Sequence, residues 1–163
     1  MNSGNALLRR YEDNLNVCGM GVIILGAWDV LKVIMQLMMN MKDLVSEMLN
    51  DVDESEQGIA LGVIIAIIAV AIVITAVIFL IHYYIGMNAS RAAKGLPYKK
   101  GYYVWAIILL VVSILGMYTY VEDIKDIENI ETTIASIIVD ITSIYILISV
   151  VVATRKIKEL KQA

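Results

Sequence analysis

The chain has 163 residues, 60% of them hydrophobic, and a formal net charge of -3 at pH 7; its mean hydropathy is +0.77. A chain of this length and apolar content has no room for a sizeable soluble domain once its uncharged stretches are counted. The single cysteine, Cys18, excludes an intrachain disulfide and a cysteine-based metal site.

Residues 1 to 14 read as a short polar arm. Arg9 and Arg10 are followed by Tyr11, Glu12, Asp13 and Asn14 before any apolar run begins, so no cleaved signal is expected and the first span should be retained. That span, about residues 15–39, carries Asp29, Lys32 and Gln36. After it Met41, Leu44, Val45 and Met48 recur at spacings of three and four, with polar residues between them. This periodicity predicts that the helix leaves the membrane as an amphipathic extension. It should stop near Asn50, ahead of an acidic loop holding Asp51, Asp53, Glu54 and Glu56.

From Gly58 to Ile81 the chain reads GIALGVIIAIIAVAIVITAVIFLI, with no charge and Thr75 as its only hydroxyl. As a helix this run is about 36 Å long, enough to cross a hydrocarbon core of about 30 Å. The second span is expected to continue to about Gly86. A turn containing Gly95 and Pro97, the only proline, then presents Arg91, Lys94, Lys99 and Lys100. The third span covers about residues 102–121. It leads to a second acidic loop, where Ile124, Ile127 and Ile130 recur every three residues and suggest a short helix on the membrane surface. The fourth span, about residues 132–154, ends in Arg155, Lys156, Lys158 and Lys161.

The expected fold is an all-α integral membrane protein, a four-transmembrane-helix bundle with helix 1 extended beyond the bilayer. Ten of the thirteen Lys and Arg fall at the N-terminus, in the 91–100 loop and in the C-terminal tail, whereas the two acidic loops hold only Lys42 and Lys125. By the positive-inside rule both termini are expected in the cytoplasm and the chain in the cell membrane. The same charges predict contacts with anionic headgroups at Arg91, Lys94, Lys99, Lys100, Arg155, Lys156 and Lys158. Aromatic residues beside lysines at a span boundary mark the interface rather than a nucleic-acid surface.

Charges inside the spans are the candidate site, because each costs about 2.5 to 3.5 kcal/mol at the bilayer centre on insertion scales. Asp29 and Lys32 are three apart and share a helix face, which Gln36 extends by a turn. Ser136, Asp140 and Ser143 share a face of the fourth span. Asp29 and Asp140 each lie about 22 Å from the basic boundary, so Lys32 could bridge them if the first and fourth spans are neighbours. The set reads first as paired charges that fix helix register and second as a proton or ion relay.

His82, beside Tyr83 and Tyr84, reads as an interfacial, hydrogen-bonded histidine. The methionines near the far boundary fit packing better than copper, since neither His nor Cys accompanies them. Gly19, Gly26, Gly58, Gly62 and Gly116 are candidates for close helix approach, and Asn88-Ala89-Ser90 is a glycosylation sequon expected to be unused. No hydrolase triad, metalloprotease motif or phosphate-binding glycine loop occurs, and no cofactor is expected. These features predict a non-enzymatic accessory or interaction subunit that recognises another membrane protein, or itself as a homo-oligomer. The alternative is a small oligomeric proton- or ion-coupled transporter or channel using Asp29, Lys32 and Asp140.

Overall fold

A computed structural model describes residues 3–50, 57–120 and 130–162. They are all helical apart from the 94–101 connection: α1 (Ser3–Asn50), α2 (Gln57–Ala93), α3 (Tyr102–Gly116) and α4 (Ile130–Gln162). α1, α2 and α4 are long and apolar enough to cross a membrane, and α3 is a shorter apolar helix. The chain is therefore a membrane protein with an all-helical fold. The absence of proline before Pro97 lets α1 and α2 run unbroken, and α1 reaches Asn50 as the periodicity after Met39 predicts. The first acidic loop, and most of the second with its expected surface helix, lie outside the described residues.

Four boundaries differ from the sequence expectation. The N-terminal arm is already helix from Ser3, because Leu8, Tyr11 and Leu15 recur on one face and pack into the core. α2 continues past Gly86 to Ala93, and α4 runs two turns beyond its apolar stretch because Ile157 is buried on its inner face. α3 ends at Gly116, where one 3-10 turn (Met117–Thr119) takes over. Its fifteen residues span about 22 Å, and three more in the tighter helix add about 6 Å.

Two compact units divide the chain. One comprises residues 1–25 and 81–163, the other Gly26–Leu80. The first unit is a four-helix bundle, since the beginning of α1, the end of α2, α3 and α4 all contribute to it. Its contacts run antiparallel: Asn16 with Ser90 between α1 and α2, Glu12 with Lys161 between α1 and α4, and Tyr102 with Thr154 between α3 and α4. The core lies at the basic end, where Leu15, Val22, Ile85, Tyr102, Leu147 and Val150 are almost fully buried. Between them sit Ala89, Ala92, Ala106 and Ala153. Small residues let helix backbones approach closely, which is how helices gain van der Waals contact where no hydrophobic drive exists between them.

The second unit holds the later half of α1 and the first part of α2. Among its described side chains Ile64 is the large one that is buried, at 3% exposure, whereas Ile59 is 72% exposed and Ile65 66%. Such apolar surface is stable against acyl chains as long as backbone and hydroxyl groups are satisfied within the helix. Thr75 complies by donating its hydroxyl to the Ala71 carbonyl at 2.8 Å.

Candidate functional site

The pairing of α3 with α4 decides what Asp140 meets. With Tyr102 Oη and Thr154 Oγ1 2.9 Å apart at the basic end, the antiparallel register carries Tyr120 up to Asp140, and the Tyr120 hydroxyl donates to Asp140 Oδ2. Asp140 is half-buried and lies fourteen residues before Thr154, about 21 Å further along α4. The phenol occupies one lone pair of the carboxyl group and leaves further acceptor capacity on it for a proton or a cation. Ser136 and Ser143, one turn to either side, are half-buried.

Asp29, Lys32 and Gln36 belong to the other unit. Asp29 and Lys32 are half-buried and neither is without a partner, while Gln36 is exposed. Around them Trp28, Leu31, Ile34 and Met35 are between 45% and 53% exposed. A polar strip thus runs through an apolar, outward-facing stretch of α1. The bridge from Lys32 to Asp29 and Asp140 would join residues of both units and remains an expectation of the sequence.

A third polar group, at the basic end of the bundle, was hidden from the sequence reading. Ser90 Oγ donates to Asn16 Oδ1 at 2.6 Å. Asn88 donates from Nδ2 to the Tyr84 carbonyl at 2.8 Å and accepts the Lys99 N–H at 2.8 Å. Asn88 and Ser90 are both buried, so the sequon they form is closed to glycosylation by packing alone. Cys18 donates to Asn14 Oδ1 at 3.3 Å within α1. His82 is buried at 5% exposure and is not without a partner. Among the described residues no group of three His, Cys, Asp or Glu could hold a metal ion.

The end of α4 carries a charge cluster of its own. Glu159 accepts from Arg155 Nε at 3.0 Å and from Lys156 Nζ at 2.9 Å, and Lys161 Nζ reaches Glu12 at 2.9 Å. The bond from Lys156, then that from Arg155, holds the Glu159 carboxyl below the usual carboxylate range. In return Glu159 raises the Lys156 ammonium above its ordinary value.

Tyr120 is the residue that the sequence reading left out of the candidate site. Counting along α3 and α4 from a known pairing would have found it, but a single sequence supplies no pairing. No family model, curated protein or solved structure matches this chain, so the residues themselves carry the functional reading.

Proposed function

We propose that this chain is a non-catalytic accessory subunit that binds another membrane protein through α1 in the Gly26–Leu80 unit. The observation that supports the reading is the polar strip of Asp29 and Lys32, half-buried among exposed Trp28, Leu31, Ile34 and Met35. Ionisable groups in a span favour a protein or aqueous surrounding over acyl chains. A facing helix with its own polar side chains would supply that surrounding and gain specificity from it.

A photo-reactive amino acid in place of Leu31 or Met35 tests this in native membranes. A discrete protein adduct that disappears in Asp29→Leu/Lys32→Leu is the expected result; adducts to lipid alone would overturn the proposal. An adduct with a second copy of the chain would make the partner a homo-oligomer.

A second reading, a small proton- or ion-coupled transporter, is supported by the Tyr120–Asp140 pair. Its test is proton or cation flux in proteoliposomes, lost in Asp140→Asn at matched folded yield. Absence of flux in the wild type would remove it.

A further inference from the structure

The basic residues at this end of the protein are not equivalent. Arg155 and Lys156 are held by Glu159, and Lys161 by Glu12. Arg91, Lys94, Lys99 and Lys100 are all exposed and, among the described residues, form no ion pair. No acidic residue occurs anywhere between Glu56 and Glu122. The connection between α2 and α3 therefore presents four positive charges that no described side chain neutralises.

These charges stand on a fixed backbone. α2 ends in a Schellman motif: Leu96 N–H bonds the Arg91 carbonyl at 2.9 Å, Gly95 N–H bonds that of Ala92 at 3.3 Å, and Gly95 takes φ 68°. Asn88, buried beneath the turn, accepts the Lys99 N–H. Tyr102 and Tyr103 N–H then bond the carbonyls of Lys99 and Lys100 at 3.3 Å each, starting α3. Leu96, at 50% exposure, and Tyr98, at 45%, stand beside the lysines. Apolar and aromatic side chains interleaved with cations, between the end of a spanning helix and the start of a shorter apolar one, match a lipid with an acyl chain below and an anionic phosphate above.

We propose that the 91–100 connection is a preorganised site for anionic phospholipid, with Lys99 and Lys100 as its principal phosphate contacts and the paired Arg155 and Lys156 contributing little. The inference rests on the membrane-spanning fold and holds whether or not α1 has a protein partner.

Trp105, 43% exposed in the first turn of α3, is the reporter. With Trp28→Phe as background, full-length protein in neutral micelles is titrated with phosphatidylglycerol carrying brominated acyl chains, and quenching of Trp105 is followed. Phosphatidylcholine with the same chains and free inorganic phosphate as competitor are run in parallel. Phosphatidylglycerol should bind saturably and more tightly than phosphatidylcholine, and Lys99→Gln/Lys100→Gln should weaken it on the order of tenfold or more, since each surface cation contributes roughly a fivefold factor. Arg155→Gln/Lys156→Gln should leave the isotherm within about twofold, because both cations are already paired to Glu159. Asn88→Ala should weaken binding with every charge in place. Should Asn88→Ala fail to fold, the exposed lysine variants still decide. Equal quenching by both lipids, loss in the tail variant equal to that in the loop variant, or full competition by millimolar phosphate would each overturn the proposal.

Discussion

Gly19 and Gly86 meet backbone to backbone where α1 crosses α2. A Cβ on Gly19 would lie 2.9 Å from the Gly86 carbonyl oxygen and 3.0 Å from the Ser90 nitrogen, and one on Gly86 would run into the Gly19 carbonyl oxygen and Ile23. Nothing flexible stands in the way at Gly19, so relief requires the helices to separate.

Gly86→Ala and Gly19→Ala are therefore expected to destabilise the protein by about 1–3 kcal/mol each, the range for overpacking a tight contact. Gly58→Ala and Gly62→Ala, which face open space, should be neutral or slightly stabilising as helix propensity improves. Unfolding by denaturing detergent in mixed micelles measures all four. Equal sensitivity at the two pairs would mean that the Gly19–Gly86 contact is not where the helices bind.

Removing the Tyr120 hydroxyl should act in part through Asp140, to which it donates. Tyr120→Phe is expected to cost about 0.6 kcal/mol and up to about 1.7, as polar contacts in membrane proteins do. In the Asp140→Asn background the same change should cost less, and a double-mutant cycle from unfolding midpoints gives the difference. Strict additivity would show that the bond contributes nothing to stability.

Asn88 is the buried link between α2 and the loop that follows. Asn88→Ala leaves the Lys99 N–H without its acceptor and is expected to cost about 1–3 kcal/mol if that group stays buried. The first visible consequence should be cleavage by trypsin at Lys99 or Lys100 in the folded protein. Resistance equal to wild type would place the loop's rigidity in the Schellman turn instead.

The Glu159 cluster sets a pH window for the tail. Glu159 titrates below its ordinary 4.5 in the folded chain, so its stabilising contribution is present above that pH and fades as pH falls through the lowered value. Lys156 titrates above its ordinary 10.5, so its share is present below that pH and fades as pH rises through the raised value. Protection factors over residues 155–161, which are amide exchange rates corrected for their intrinsic pH dependence, should be highest between these limits and fall in acid, and Glu159→Gln should remove the acid limb. Because all three side chains are solvated, salt should weaken the effect.

The helices were legible because each holds a long, predominantly apolar run with at most two charges, and in a bilayer such a run has one low-energy conformation: a helix satisfies every backbone polar group within itself. The ends of the helices were not, since Leu8, Tyr11 and Ile157 lie among charged residues, and only a neighbouring helix makes their shared face worth burying. Of the glycines, Gly19 was picked out as a close-approach position and is one; Gly86, its counterpart, was not, and Gly58, Gly62 and Gly116 touch nothing. A small residue permits contact but does not say which helix comes near.

By itself the sequence determined that this is a helical membrane protein, which apolar runs form its helices, and which polar residues lie along them, because hydropathy and charge are properties of single segments. The tertiary structure alone decided which of those residues meet. Tyr120 with Asp140, Asn16 with Ser90 and Gly19 with Gly86 are separated by 20, 74 and 67 positions. Pairings across such distances follow from how helices pack against one another, and no periodicity within one helix encodes that.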